Sequence, residues 1–174
     1  MLRVILISGK KGAGKDFVAK QLGYKTLSFA APIKDIIATT LQISLDTLDA
    51  MKNDTTTDMR QMLQFFGTEA MHKHFGKEVW VDLACKELDK HSETVVFTDW
   101  RFVTEYELLT ARGYSVTTLR IDADVADEAD QHESEIALDN FDFDFKFQNF
   151  EKLGSENENF KSSISKFQKL HSEL

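Results

Sequence analysis

Residues able to do chemistry concentrate at three places in the chain. The first is Gly9, Lys10, Lys11, Gly12, Ala13, Gly14, Lys15 and Asp16, which fits G-x-x-x-x-G-K, the spacing of a phosphate-binding loop. Glycines at those positions let the loop adopt positive φ and turn several backbone N–H groups onto phosphate oxygens. Lys15 would reach the β- and γ-phosphates as a point charge, and the helix expected to follow would offer its first amides to the same anion. The plain alternative is a glycine-rich strand-to-helix turn. Asp16 stands where Ser or Thr usually meets magnesium. A carboxylate beside phosphates repels them unless a cation lies between. Asp16 is therefore expected to bind Mg²⁺ directly or through water, or to hold Lys15 and the acceptor in place. An acid favoured by the helix dipole would explain it with no catalytic role.

The second place is Thr98-Asp99-Trp100-Arg101-Phe102, followed by Glu105. Asp99 ends an apolar strand pattern, where ligands bind in open α/β sheets, and an acid there can hold a magnesium-bound water. Arg101 carries a fork suited to phosphate, and Glu105 is spaced to orient it by an ion pair. A mere capping pair is the alternative. The third place is Arg60, Gln61, Gln64, Gly67, Thr68 and Glu69. Arg60, Gln64 and Gly67 recur at helical spacing and would share one face, suited to a phosphate and a base edge. A solvated surface is the plain reading. His132, in an acidic stretch, reads as exposed. No cysteine–histidine spacing fits zinc, and no Ser/His/Asp arrangement stands out.

These groups need a frame. Residues 2–8, 26–29, 94–98 and 115–121 read as strands, and 15–22, 44–52, 57–66, 79–90 and 102–112 as helices, the last closed by Gly113. Ile33, Ile36, Ile37 and Leu41 repeat at helical spacing. In 79–90, Val79 and Leu83 are expected to face inward, with Trp80 and Leu88 as further candidates. Residues 141–147, FDFDFKF, alternate with period two and predict a strand near a sheet edge. Ser155 to Glu158 fits a capping box, and Phe160, Ile164, Phe167, Leu170 and Leu174 form the core-facing stripe of a final helix. Strands alternating with helices predict an α/β sheet.

The chain has 174 residues, with 21 Lys+Arg against 29 Asp+Glu and a net charge of −8. That length suits one domain. The acid excess argues against a protein that coats nucleic acid or an anionic membrane. One cysteine, Cys85, leaves no internal disulfide and points to a reducing, cytoplasmic setting. No run of about 18 apolar residues predicts a membrane span, and residues 2–7 are too short for a signal segment.

Taken in order, SGKKGAGKDFVAKQL, RQMLQFFGTE, HFGKEVWVDLA, TDWRFVTEYELL and HESEIALDNFDFDF resemble the bacteriophage deoxynucleoside monophosphate kinase family, from Ile7 to about Asn149. That resemblance implies a P-loop kinase fold similar to adenylate kinase: three α/β/α layers and a mainly parallel five-stranded sheet. It also implies a helical acceptor-binding insertion at about 31–92 and a short lid-like segment at about 122–137. The implied reaction moves the γ-phosphoryl of ATP to a deoxynucleoside 5′-monophosphate, in the host cytoplasm if the gene is phage-borne, with a homodimer allowed. By position, the loop from Gly9 to Asp16 with Arg120 would bind ATP, and Asp16 and Asp99 would lie around Mg²⁺. Arg60, Gln61, Gln64, Gly67, Thr68 and Trp80 would line the monophosphate site, completed by Asp99, Arg101 and Glu105. Lys15, Asp16, Asp99 and Arg101 would be the catalytic set. Two departures stand out. His72 and Lys73 replace an arginine common after GTE, and the bulky Trp100 is expected to narrow the pocket. The acidic lid stretch lacks an arginine, so Lys10, Lys11 and Arg120 are expected to supply part of its charge. Animal-type phosphomevalonate kinases share a similar SGK-x-x-x-GKDFV loop and ESE-x-x-LDNF stretch and are the rival. A non-catalytic NTP-binding regulator is the third reading.

Overall fold

The RVILIS run of β1 (Arg3–Ser8) is buried on both faces, so it requires neighbours on both sides and cover above and below. It obtains them at the centre of a five-stranded sheet. A computed structural model describes residues 1–123, 133–148 and 158–173. It divides the chain into two compact units, Met1–Leu27 with Lys90–Leu174, and Ser28–Asp89.

The first unit holds β1, α1 (Lys15–Leu22), β2 (Lys25–Leu27), β3 (Val95–Phe97), α7 (Val103–Ala111), β4 (Ser115–Asp122), α8 (Glu133–Ile136), β5 (Phe145–Gln148) and α9 (Glu158–Glu173). The sheet order is β2-β3-β1-β4-β5, and every neighbouring pair is parallel. The carboxyl ends of β1, β3 and β4 therefore open on one edge. Ile5 and Ile7 join Val18, Ala19 and Leu22 of α1 and Ile164 and Phe167 of α9 in one cluster. Gln168 Nε2 also donates to the Leu22 carbonyl at 3.1 Å, tying α9 to the end of α1. Val4 and Leu6, on the opposite face, are equally buried. α7 lies against β4 and ends as expected at Gly113. Gly113 N–H donates to Thr110 O and Tyr114 N–H to Leu109 O, with Gly113 at φ 87°.

Two strand expectations change. β2 is Lys25–Leu27 and not 26–29, because it pairs residue for residue with the three residues of β3 and the chain turns at Ser28. The strand expected over 141–147 begins only at Phe145. Asp144 causes this. Its Oδ2 accepts from both the backbone N–H and the hydroxyl of Thr118 at 2.8 Å, so a side chain replaces the strand ladder there. β5 is still an edge strand with alternating exposure. The acidic stretch expected to act as a lid lies mostly outside the described residues, as do the capping box at 155–157 and the side chains of Phe160, Leu170 and Leu174.

The second unit holds α2 (Ala31–Leu41), α3 (Leu45–Asn53), α4 (Met59–Gln64), a π-helical turn (Phe65–Ala70), α5 (Met71–Phe75) and α6 (Val79–Leu88). Pro32 sits in the first turn of α2, where its missing N–H costs nothing, and Ser44 Oγ caps α3 through Thr47 N–H at 3.1 Å. The core is Ile33, Ile37, Ala38, Leu48, Met59 and Trp80, while Ile36 and Leu41 are exposed. The inward set of α6 is Trp80, Val81, Ala84 and Leu88; Val79 and Leu83 are only partly buried, because Trp80 and not Val79 enters the core. The helix expected across 57–66 is shorter and runs into the π turn.

Candidate active site

The phosphate-loop sequence forms the turn its glycines allow. Gly12 and Gly14 take φ of 81° and 93°, and a Cβ on Gly9 would lie 2.5 Å from the Ile121 carbonyl oxygen. Gly14 is the N-cap of α1, so Lys15 and Asp16 open the helix at the carboxyl end of β1. Lys15 Nζ donates to the Gly9 and Lys10 carbonyls at 2.6 and 3.0 Å, which lays the ammonium along the loop.

Asp16 is exposed in the first turn of α1, and its Oδ1 accepts from Thr98 Oγ1 at 2.6 Å. Thr98 follows β3 and directly precedes Asp99. The fold thus brings Asp16 to the strand end that carries Asp99. Thr98 was not singled out from the sequence; its hydroxyl beside the candidate acid was the available signal. Two carboxylates with a hydroxyl are hard oxygen donors of the kind Mg²⁺ takes, one or two from protein and the rest from phosphates and water. Among the described residues no cluster of three or more His, Cys, Asp or Glu exists, so an all-protein metal cage is not formed there.

Glu105 has a different role from the one its spacing suggests. Its Oε2 accepts from the backbone N–H groups of Arg101 and Phe102 at 2.9 and 3.0 Å, while the Arg101 guanidinium enters only as a weaker electrostatic partner. Glu105 N–H donates back to the Phe102 carbonyl at 3.1 Å, closing the start of α7. Glu105 is buried, and desolvation pushes its carboxyl up to about 8 against those two hydrogen bonds, with Asp99 raising it further. Glu105 therefore fixes the backbone that presents Arg101.

Trp100 is buried among aromatic side chains. It is 1% exposed, donates from Nε1 to the Phe102 carbonyl at 2.8 Å, and packs edge-on against Phe141 and Phe143. The expected narrowing of the pocket is replaced by an aromatic core. The extra charge expected from Lys10 and Arg120 is also already matched. Lys10 Nζ lies 2.8 Å from Asp139 Oδ2, and Arg120 binds Asp122 Oδ1 at 3.1 Å and Asp139 Oδ1 at 3.3 Å. Lys11 is exposed.

In the second unit, Arg60 and Gln64 are half-buried on α4, Gln61 is exposed, and Thr68 lies on the π turn. Gly67 is buried there, and a Cβ added to it would lie 2.8 Å from Ile33 Cδ1. Trp80 is 4% exposed, and its indole N–H donates to the Gly67 carbonyl at 2.7 Å. Gly67 and Trp80 therefore set the shape of the turn that carries Thr68 and follows directly on Gln64. π turns occur often at functional sites, and no residue spacing announces one.

Residues 44–159, more than half of the chain, match the model of the family described as deoxynucleotide monophosphate kinase. The chain belongs to the deoxynucleotide monophosphate kinase family. It is a phosphotransferase acting on small molecules, as the resemblance implied. The family match begins after the phosphate loop, so that loop stands on its own geometry. No curated protein matches the sequence. Among solved structures, the chain is similar to an APS kinase from Mycobacterium tuberculosis at 10% identity, covering 98% of this chain and 97% of the other with a TM-score of 0.48. It is also similar to a shikimate kinase from Bacteroides thetaiotaomicron at 13% identity, 99% of each chain and a TM-score of 0.45. A sugar kinase from Janibacter sp. is similar at 14% identity, covering 96% and 92%, with a TM-score of 0.46. Among the described residues, no helix is long and apolar enough to cross a membrane.

Proposed function

We propose that this member of the deoxynucleotide monophosphate kinase family binds ATP on the loop from Gly9 to Asp16 and transfers its γ-phosphoryl to a deoxynucleoside 5′-monophosphate. The observation that carries the reading is the hydrogen bond of Asp16, next to Lys15, with Thr98, the residue before Asp99, at the carboxyl edge of a parallel sheet. An oxygen of the acceptor phosphate forms the new bond to the γ-phosphorus as the bond to the β,γ-bridging oxygen breaks, releasing ADP. The acceptor phosphate is already largely ionised near neutral pH, so no strong base is required. Positioning and charge neutralisation supply the rate.

Lys15 and the first amides of α1 hold the donor phosphates. Asp16 and Asp99 would hold a Mg²⁺ ion, which when bound supplies charge neutralisation on the phosphate oxygens. Thr98 fixes the Asp16 carboxylate. Arg101, presented by the backbone that Glu105 pins, serves the transferring or acceptor phosphate. Arg60, Gln61 and Gln64 on α4, with Thr68 on the turn shaped by Gly67 and Trp80, read the monophosphate. The single Cys85 suits a reducing cytoplasm.

A coupled ADP-release assay tests this reading. It should run with each deoxynucleoside monophosphate, the ribonucleotides and phosphomevalonate. Turnover is expected with one or more deoxynucleoside monophosphates. Turnover with phosphomevalonate alone, or with none, overturns the assignment.

A further inference from the structure

Asp139 joins two cations that come from distant parts of the chain. Its Oδ2 accepts from Lys10 Nζ at 2.8 Å and its Oδ1 from Arg120 Nη2 at 3.3 Å. Lys10 belongs to the phosphate loop, 129 residues away. Arg120 lies beside Ser8 in the register of β4 against β1. It is fastened on every side. Nε donates to Asp122 Oδ1 at 3.1 Å, Nη1 donates to Ser8 Oγ at 3.2 Å, and the guanidinium carbon lies 5.7 Å from the Phe143 ring centre. With its side chain only 12% exposed, Arg120 is a fixed post.

The loop it faces is the opposite kind of structure. Lys11 and Gly12 are exposed, and all three glycines of the loop, Gly9, Gly12 and Gly14, adopt positive φ. Such a stretch loses much conformational entropy when it must hold one shape. Its internal backbone tie is Ala13 N–H to the Lys10 carbonyl at 3.2 Å. The Lys10–Asp139 bridge adds a tie from outside the loop. Without a carboxylate between them, Lys10 and Arg120 would repel each other, and the loop would open toward solvent.

We infer that Asp139 is a positioning residue for the phosphoryl donor: it fastens Lys10 to the fixed Arg120 and so holds the exposed half of the phosphate loop in its binding shape. This rests on the loop being the ATP site. The role is distinct from catalysis, since Asp139 acts through Lys10. It predicts a donor-side effect that leaves the acceptor side untouched.

The test is steady-state kinetics with ATP-binding calorimetry on the full chain. Asp139→Asn should raise the KM for ATP about tenfold, with kcat within about twofold and the monophosphate KM unchanged. Asp139→Glu should recover most of the loss. Lys10→Gln should raise the ATP KM similarly, and the Lys10→Gln/Asp139→Asn double variant should be no worse than either single one. Thermal melts identify any variant that fails to fold, and the Lys10 arm of the cycle then decides. An ATP KM within about twofold of the parent for Asp139→Asn overturns the inference, as does an equal rise for both substrates or an additive double variant. Failure of the parent itself to bind ATP would instead sink the reading of the loop.

Discussion

Thr98 Oγ1 donates a hydrogen bond to Asp16 Oδ1 at 2.6 Å, joining residues 82 positions apart. The bond fixes an exposed carboxylate at the head of α1 against the end of β3. Removing the hydroxyl leaves the shape of the side chain but frees the acid. Thr98→Val should lower kcat/KM about tenfold, since one hydrogen bond to a charged group contributes about 1.5–3 kcal/mol. Titration of activity with Mg²⁺ should show a raised requirement. Unchanged kinetics would mean that Asp16 is held by other contacts.

Lys15 lies along the loop on the Gly9 and Lys10 carbonyls and is only partly buried, so its removal should not disturb the core. Lys15→Ala should cut turnover by at least about 10²-fold, the scale seen when one preorganised charge-stabilising donor is lost. Far-UV circular dichroism should be unchanged. Retained turnover would remove the loop from the reaction.

The Glu105 carboxyl is raised from 4.5 to about 8 by burial. Between those values the folded chain keeps a proton that the unfolded chain has lost. Stability from this group is therefore complete below about 4.5, falls as pH rises to about 8, and levels off above it, with a slope of up to about 1.4 kcal/mol per pH unit. Glu105→Gln keeps an oxygen for the Arg101 and Phe102 amides and removes the titration. Urea unfolding at pH 5, 6.5 and 8 should show the variant gaining on the parent as pH rises. A constant difference between the two would show that Glu105 does not titrate in this window.

A methyl group on Gly67 would lie 2.8 Å from Ile33 Cδ1, so the Ile33 side chain must shift to admit it. Gly67→Ala should destabilise the second unit by about 1–3 kcal/mol, nearer the lower figure because the crowded atom ends a side chain. It should also raise the monophosphate KM by distorting the turn that carries Thr68 and follows Gln64. Ile33→Val removes the crowded atom, so adding it to Gly67→Ala should restore part of both losses. Equal destabilisation with and without that change would place the strain elsewhere.

Much of the frame was legible because it is written in local pattern. The RVILIS run could only be a strand covered on both faces, and α1 begins and ends where its residues predicted. The loop spacing identified its own turn, because glycine is the residue that takes those dihedrals without strain. What failed did so at competition between local and distant partners. The FDFDFKF alternation predicts a longer strand, but Asp144 finds the Thr118 backbone and hydroxyl, and Phe141 and Phe143 find Trp100. The π turn at 65–70 arises within an otherwise helical pattern, and no periodicity marks it.

The sequence by itself determined the chemistry on offer: a glycine-shaped loop ending in lysine and aspartate, an acid after a buried strand, and arginines for phosphate. Those are properties of residue type and short spacing, and chain stiffness makes them local. Only the tertiary structure decided which groups act together. It set Thr98 against Asp16, buried Glu105 beneath the Arg101 backbone, sent Trp100 into an aromatic core, and placed Asp139 between Lys10 and Arg120. The physical reason is that each of these contacts is strong only at hydrogen-bond or packing distance, and residues up to 129 positions apart reach that distance only when the sheet is assembled.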